Sequence, residues 1–302
     1  MLSENGITPI MERNNAFAWM IVDYLDSSPK AINAKTLKEA DPQGSLPEEM
    51  AYAAILSALC DSTEETEAYF FRSVHRLDPV SFRENPYLKT IRFPDIKGKR
   101  WEFIHDSYDP FEAFICDDIE VLPDGTEIPQ VGYFPEKISF PSVHENGREW
   151  MAVKPSEIRS MEEPLSAMRG NIAVIGLGLG YFAFMASMKP EVESITVVEK
   201  ESEVIGLFKE HILPQFPFRD KITIVSGDAF DFLKDVEPRD GKNNGFDSIF
   251  VDIWHDTADG VGLYQRAKSL EKGGILYRYW LEKSLLSAIR WKDALGQWNE
   301  EP

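Results

Sequence analysis

The sequence predicts an α/β protein with an open, doubly wound and mainly parallel sheet. A buried apolar strand breaks on spaced glycines and resumes as a helix within Asn171–Phe182. From there to the end of the chain, short apolar runs alternate with helical patterns, and several runs end on an acidic residue. Repeated strand–helix units of this length form parallel sheets with right-handed crossovers. We therefore predict a Rossmann-like domain over residues 156–302.

Residues 1–85 carry helical patterns and form the first predicted region. Pro47 and the acids after it are typical of a helix start. The apolar face predicted for the first helix consists of Ala16, Trp19, Met20, Ile21, Tyr24 and Leu25. We expect this helical region to cover the main domain or to form a homodimer.

Residues 86–155 are punctuated by prolines and carry short β-like runs. The predicted strands lie at Trp101–Ile104, Phe114–Cys116 and Ile119–Leu122. Such a β-rich segment is compatible with a lid over the glycine-rich turn, with internal packing or with a dimer surface. The sequence leaves these three alternatives open.

The last domain begins with a helical lead-in over residues 155–168. The strands predicted after it are 172–175, 194–198, 221–225, 248–251 and 273–280, and the helices are 181–188, 203–211, 229–234, 261–270 and 283–295. Only one helix follows the last predicted strand. We therefore expect a sheet of five strands, truncated at its C-terminal end or completed by the β-rich segment.

The glycine-rich turn contains Gly176, Gly178 and Gly180. Glycines at such a turn allow the backbone to approach a nucleotide and to direct helix N-terminal N–H groups at it. A purely structural turn is one alternative, because glycine spacing alone is weak evidence. A dinucleotide site is a second, since Gly178, Gly180 and Ala183 fit G-x-G-x-x-A. A membrane helix over the uncharged stretch Gly170–Met188, with its GxxxG pair, is a third.

The overall charge restricts the partners that we expect. The 302 residues include 32 basic and 51 acidic side chains, for a formal net charge of -19. Such a surface repels phosphate backbones, so no nucleic-acid partner is expected, and a neutral or cationic small substrate fits better. Two cysteines, Cys60 and Cys116, suit a reducing compartment. The N-terminus lacks the pattern of a signal peptide, so we expect a cytoplasmic protein without a membrane partner.

Acidic residues stand at the ends of three predicted strands: Glu199, Asp228 and Asp252. In an open parallel sheet the ligand lies beyond the C-terminal ends of the strands. Glu199 follows the glycines by about twenty residues, the spacing at which a carboxylate accepts hydrogen bonds from an adenosine ribose. A strand-end acid that only caps the next helix is the alternative.

The run Gly227-Asp228-Ala229-Phe230 follows the third strand of this domain. Together with the glycine turn and Glu199, it resembles the class I S-adenosylmethionine-dependent methyltransferase superfamily over the whole last domain. The resemblance implies S-adenosylmethionine as cofactor, with the Asp carboxylate on the adenine amino group and the next N–H on a ring nitrogen. The implied cofactor-binding residues are Gly176, Gly178 and Gly180 along the methionine part, Glu199 on the ribose, and Asp228 with Ala229 on the adenine.

The loop after the fourth strand carries Asp252, Trp254, His255 and Asp256. The resemblance implies that this loop faces both the methionine part and the acceptor. Asp252 is predicted to bind the cofactor ammonium or to orient a nucleophile, and His255 to act as a base. Trp254 is predicted to contact the sulfonium through its ring, with a core aromatic as the alternative. For His255 the alternative is a solvated loop residue. No metal is expected, and a loop site at Asp252, His255 and Asp256 is the alternative.

The resemblance extends to the spermidine synthase-like branch, which shares the apolar pair Val174-Ile175 before the glycines. That branch carries Asp-x-x-Asp after the fourth strand, whereas this chain has Asp252-Ile-Trp-His255. Our first hypothesis is therefore a methyltransferase that acts on a small molecule. The alternatives are an aminopropyltransferase, a cofactor-binding regulatory or scaffold protein without catalysis, and a nicotinamide enzyme.

Overall fold

The computed structural model describes residues 7–97, 100–240 and 244–299. Helices occur along the whole described chain. They are α1 (Pro9–Ser27), α2 (Ala34–Ala40), α3 (Glu48–Leu59), α4 (Glu67–Ser73), α5 (Pro79–Arg83), α6 (Pro86–Thr90), α7 (Pro155–Ser160), α8 (Glu162–Ala167), α9 (Tyr181–Ser187), α10 (Ser202–Leu207), α11 (Ala229–Asp235), α12 (Thr257–Lys268) and α13 (Glu282–Asn299). A π-helical turn at Phe208–Ile212 and 3₁₀ turns at Leu213–Gln215 and Arg219–Lys221 follow α10.

The strands fall into a β-rich middle part and a later set that alternates with helices. They are β1 (Val74–Arg76), β2 (Ile96–Lys97), β3 (Trp101–Tyr108), β4 (Phe114–Ile115), β5 (Glu120–Val121), β6 (Glu127–Ile128), β7 (Val131–Tyr133), β8 (Ile138–Glu145), β9 (Arg148–Ala152), β10 (Gly170–Ile175), β11 (Val192–Glu199), β12 (Ile222–Ser226), β13 (Ser248–Val251) and β14 (Leu276–Tyr279).

The last five strands form one parallel sheet in the order β12-β11-β10-β13-β14. Numbered along the chain, this order is 3-2-1-4-5, the doubly wound arrangement in which the strand order reverses beside the first strand. Ile172–Ile175 at its centre is almost fully buried, as expected for a strand covered on both faces. The predicted fold class is confirmed.

The stretch that could have been read as a membrane helix divides into two elements. Gly170–Ile175 is a strand and Tyr181–Ser187 a helix, so the membrane alternative is wrong. Glycines in the middle of the stretch interrupt any continuous helix, because three of them adopt positive φ. Within the described part of the chain, no helix is long and apolar enough to cross a membrane.

The described chain divides into two compact units. Among the described residues, the first contains 7–82, 107–139 and 286–299. Its core is built on α1, α3 and α4 with the short sheet β1-β7-β4, and the rings of Tyr52 and Tyr133 stack in it at 4.0 Å. On α1 the buried face carries Phe17, Ile21 and Tyr24. The predicted face is wrong at Ala16 and at Trp19, which is 64% exposed, because the inward position is taken by Phe17, whose ring packs edge-on to Phe70 at 5.0 Å.

The second unit contains the described residues of 83–106 and 140–285, that is, all but 98–99 and 241–243. It holds the five-stranded parallel sheet and most of the antiparallel sheet β2-β3-β8-β9. Two stretches of the predicted β-rich segment therefore belong to the same unit as the parallel sheet. The three-part division of the chain at residues 85 and 155 stays a prediction.

Candidate functional site

The glycine turn joins β10 to α9 and has a backbone that only glycine adopts easily. Gly176, Gly178 and Gly180 have φ angles of 102°, 53° and 76°. A Cβ on Gly176 would lie 1.9 Å from the carbonyl oxygen of Asp252, and one on Gly180 would lie 2.3 Å from the Phe208 ring. Both spacing and conformation therefore require glycine at these positions. The turn lies at the C-terminal edge of the sheet, where ligands bind in this fold class.

Glu199 ends β11 and is bonded to the glycine turn itself. One carboxylate oxygen accepts a hydrogen bond from the Leu177 N–H at 3.2 Å, and the other accepts one from the Glu201 N–H at 2.8 Å. Each carboxylate oxygen can accept a second hydrogen bond, so both retain capacity for a ligand. The backbone of the turn and of its own loop therefore holds this carboxylate in place.

Asp228 follows β12 and caps α11. Its Oδ1 accepts hydrogen bonds from the Phe230 N–H at 2.8 Å and the Asp231 N–H at 3.1 Å. Among the described residues, no donor reaches Oδ2. Ala229 is the first residue of α11, and a first-turn N–H has no acceptor within its helix. Asp228 therefore presents an acceptor beside the donor of Ala229.

The two acids stand at neighbouring strand ends. Glu199 pairs with Ser226 across β11 and β12, and the Gly227 N–H donates to the Glu199 carbonyl at 3.0 Å. The structure thus brings together the glycine turn, Glu199 and Asp228 along one edge of the sheet. Their assignment to the parts of a cofactor stays a prediction.

Asp252 follows β13 and lies beside the first glycine of the turn. Its N–H donates to the Ile175 carbonyl at 2.8 Å, and its own carbonyl makes the close approach to Gly176. Burial raises the pKa of the Asp252 carboxyl well above its usual range, and the charge of Glu157 raises it further. In the described part of the chain, no donor bonds to this carboxylate.

Glu157 is the carboxylate that sequence reasoning did not select. It lies in the first turn of α7, where an acid is ordinary, so the sequence carried no signal for it. Burial raises its pKa to about 7, against the attraction of Lys154 and with the repulsion of Glu149. Lys154 itself forms an ion pair with Glu149. Asp252 and Glu157 are thus two half-buried acids with raised pKa values at one place.

His255 links the loop after β13 to strand β9. Its Nε2 lies 3.1 Å from the Glu149 carbonyl oxygen, and its Nδ1 lies 3.4 Å from an Asp256 carboxylate oxygen. Its ring centroid is 5.8 Å from that of Trp150. Both ring nitrogens therefore have protein partners, and acting as a base would require one of them to be released. The predicted catalytic role of His255 stays a prediction.

Trp254 is 5% exposed and packs among aromatic side chains. Its ring centroid lies 6.4 Å from that of Tyr264 and 6.5 Å from that of Tyr279. Its buried Nε1–H has no hydrogen-bond partner among the described residues. This packing matches the core alternative for Trp254, and the predicted contact with a sulfonium stays a prediction.

Two further expectations concern the surroundings of the site. Met151 of β9 lies against the turn, with its sulfur 3.4 Å from the position of a Cβ on Gly178. The β-rich segment therefore contributes residues beside the glycine turn, as the lid alternative requires. At Asp252, His255 and Asp256, as elsewhere in the described chain, the side chains do not form a group that could hold a metal ion.

Comparisons with known proteins give similarity to solved structures alone. Neither a protein-family model nor a curated protein sequence matches the chain. Spermidine synthase from Thermotoga maritima is 15% identical, over 52% of this chain and 60% of that chain, with a TM-score of 0.35. Precorrin-6y C5,15-methyltransferase from Geobacter metallireducens is 16% identical, over 47% of this chain and 72% of that chain, with a TM-score of 0.33. The glycopeptide N-methyltransferase MtfA complexed with S-adenosylmethionine is 20% identical, over 40% of this chain and 51% of that chain, with a TM-score of 0.28.

The sheet of this chain has a doubly wound, Rossmann-like fold, the fold type to which the class I S-adenosylmethionine-dependent methyltransferases belong. Its strand order is 3-2-1-4-5, and its glycine turn follows the first strand. The predicted resemblance is therefore confirmed at the level of the fold. At such low identities and TM-scores, the similar structures assign no residue role, substrate or reaction to this chain.

Proposed function

We propose that this protein binds S-adenosylmethionine at the C-terminal edge of its parallel sheet and transfers the methyl group to a small-molecule acceptor. The observation that supports this most is the arrangement of Asp228 and Ala229. An adenine edge offers an amino donor next to a ring-nitrogen acceptor. Asp228 Oδ2 and the Ala229 N–H provide the complementary pair. A site for a nicotinamide dinucleotide has an acid after the second strand but does not require one after the third.

Glu199 supports the same placement of an adenosine. Each of its oxygens already accepts one backbone N–H, and each has a lone pair left for a ribose hydroxyl. Hydrogen bonds to a charged group contribute about 1.5–3 kcal/mol each. Glu199 and Asp228 together are therefore expected to provide most of the polar binding energy for the adenosine.

The acceptor end of the proposed site contains Asp252 and Glu157. When bound, S-adenosylmethionine supplies an electrophilic methyl group on a positively charged sulfur. The acceptor atom donates its electron pair to the methyl carbon, and the carbon–sulfur bond breaks with its pair left on sulfur. Catalysis then consists mainly of holding the two molecules in line. Glu157, with a pKa of about 7, can take the proton that the acceptor loses at neutral pH.

An amine acceptor fits this end best. The two carboxyl groups have no hydrogen-bond donor among the described residues, and a cationic or hydrogen-bonding amine supplies one. The formal net charge of -19 favours the approach of cations over a long range. The same observation favours a second candidate, aminopropyl transfer to a polyamine, which the His255 position in the fourth-strand loop opposes.

Calorimetric titration of the full chain tests the cofactor. We expect S-adenosylmethionine and S-adenosylhomocysteine to bind and NAD to give no signal. Binding of NAD without binding of S-adenosylmethionine would overturn the proposal. Incubation with decarboxylated S-adenosylmethionine and putrescine separates the second candidate, since a methyltransferase forms no spermidine under these conditions.

A further inference from the structure

The glycine turn is braced from outside by helix α6, a segment that the sequence did not connect with the site. Tyr87 is 0% exposed, and its hydroxyl donates a hydrogen bond of 2.6 Å to the carbonyl of Leu179, which lies between Gly178 and Gly180. Two residues earlier, Asn85 Nδ2 donates to the hydroxyl of Tyr181 at 3.1 Å. One short helix therefore bonds to the turn itself and to the first residue of α9.

Ring contacts support the same brace. The Tyr87 ring lies edge-on to Tyr181 at 5.5 Å and to Phe184 at 5.3 Å. Asn85 also caps α6, because its Oδ1 accepts from the Tyr87 N–H at 3.0 Å. Pro86 stands at the first helical position, where its fixed φ favours the helix. Tyr87 is therefore held in one orientation by its own helix and by α9.

The carbonyl that Tyr87 holds determines the direction of a neighbouring N–H group. The carbonyl of Leu179 and the N–H of Gly180 lie in one peptide plane. Gly180 N–H donates to the Leu177 carbonyl at 2.8 Å, so this plane is fixed on both sides. A rotation of the plane would reorient the turn and the N–H groups of Gly178 and Leu179, which have no acceptor among the described residues.

We propose that Tyr87 is a positioning residue that fixes the glycine turn in its ligand-ready conformation. This inference rests on the proposed function, because the ligand in question is S-adenosylmethionine. Burial raises the pKa of the Tyr87 hydroxyl above its ordinary value, so the hydroxyl remains a donor throughout the neutral pH range. Tyr87 does not touch the cofactor in this arrangement but acts through Leu179.

The test is Tyr87→Phe, which removes the hydroxyl and keeps the ring contacts. Tyr52→Phe is the matched control, because Tyr52 is equally buried and donates a hydrogen bond of 3.0 Å to the Phe111 carbonyl in the first unit. Both variants lose a buried hydroxyl–carbonyl bond, so we expect similar decreases in melting temperature. For Tyr87→Phe alone, we expect the Kd for S-adenosylmethionine to rise roughly 5- to 10-fold, since one such hydrogen bond is worth about 1 kcal/mol.

A second measurement needs no ligand. Hydrogen exchange of the segment 176–182 is expected to be faster in Tyr87→Phe than in the wild type and unchanged in Tyr52→Phe. Equal Kd values for the two variants, or unchanged exchange in Tyr87→Phe, would overturn the positioning role. If the wild type fails to bind S-adenosylmethionine, the proposed function fails, and the exchange measurement still decides whether Tyr87 fixes the turn.

Discussion

The adenosine end and the acceptor end of the proposed site are built differently. At the adenosine end, Glu199 and Asp228 each accept two backbone N–H groups. At the acceptor end, Asp252 and Glu157 have no donor among the described residues, and both have raised pKa values. Backbone N–H groups hold the first pair in place before a ligand arrives. The second pair is costly to charge and becomes more stable when a ligand supplies a donor or a cation.

This contrast separates binding from chemistry. Backbone N–H groups stabilise a carboxylate without any ligand, so the adenosine end is preorganised. Two carboxyls with elevated pKa values store an unfavourable interaction that an incoming group can relieve or use for proton transfer. Substitutions at the first pair should therefore change cofactor affinity, and those at the second pair should change the dependence on pH.

The largest expected effect breaks the turn that both ends share. Gly176→Ala places a methyl group against the Asp252 carbonyl and forces a side chain into positive φ. We expect a loss of about 3–5 kcal/mol in the free energy of unfolding, from backbone strain together with steric overlap. Urea unfolding followed by circular dichroism measures this loss.

Gly262→Ala is the control for that substitution. Gly262 lies within α12, and a Cβ there meets nothing within 4 Å. Alanine in a helix is more favourable than glycine by about 0.8–1 kcal/mol, so this variant should be slightly stabilised. Equal stability of the two variants would mean that the turn tolerates side chains and does not connect the two ends.

The next effect concerns the adenosine end alone. Asp228→Asn keeps the cap of α11, because asparagine caps a helix as well as aspartate does. At the position of Oδ2 the substitution puts an NH₂ donor in place of the carboxylate acceptor. We expect an affinity loss of about 1.5–3 kcal/mol for S-adenosylmethionine, which is roughly 10- to 150-fold in Kd. Isothermal titration calorimetry measures it.

Asp231→Asn on the same helix is the matched control for Asp228→Asn. The side chain of Asp231 is 75% exposed and pairs with Lys234, one turn further along the helix. Its substitution should leave the Kd unchanged. A Kd that also stays unchanged in Asp228→Asn would remove Asp228 from the adenine site while leaving the fold assignment intact.

The sequence predicted the adenosine end because its geometry is local. Glycines with positive φ, a helix that begins after them and acids at strand ends all leave a signal within a few residues of one another. The parallel arrangement of the strands also followed from the alternation of strands and helices. Predicted strand 248–251 agrees with β13, and the others differ by a few residues at their ends.

The acceptor end and the brace could not be predicted in the same way. Glu157 lies 95 positions before Asp252 in the chain (252 − 157), and Tyr87 lies 92 positions before Leu179. Their roles depend on tertiary packing that brings distant segments together, and neither residue belongs to a recognisable motif. The burial that raises the pKa of Glu157 is likewise a property of the folded chain.

A smaller effect tests the acceptor end through pH. The pKa of Glu157 is about 7 in the folded state, against 4.5 for an ordinary glutamate. Between these two pH values the folded protein therefore holds a proton on Glu157 that the unfolded chain has lost. Its contribution to stability is present below pH 4.5 and decreases as the pH rises through 7. Glu157→Gln should therefore be more stable than the wild type at pH 8, by about 1–2 kcal/mol for a partly solvated group, and equal to it at pH 4.5.

Thermal unfolding at several pH values measures this difference. Glu162→Gln is the control, because Glu162 is an exposed acid on the adjacent helix α8. Its substitution should leave the pH profile unchanged. If Glu157→Gln is no more stable than the wild type at pH 8, the buried carboxyls of Asp252 and Glu157 are not an unfavourable pair. The contrast between the two ends of the site is then lost.

The smallest expected effect decides what His255 does. Its two nitrogens lie near the Glu149 carbonyl and the Asp256 carboxylate, so the imidazole anchors the fourth-strand loop to β9. His255→Gln should lower the free energy of unfolding by about 0.5–1.5 kcal/mol, the value of a net hydrogen bond, and change the cofactor Kd less than twofold. His105→Gln is the control, since His105 bonds to Asp95 at the surface. A large change in Kd for His255→Gln alone would place this side chain at the adenosine end and erase the division between an end that binds and an end that reacts.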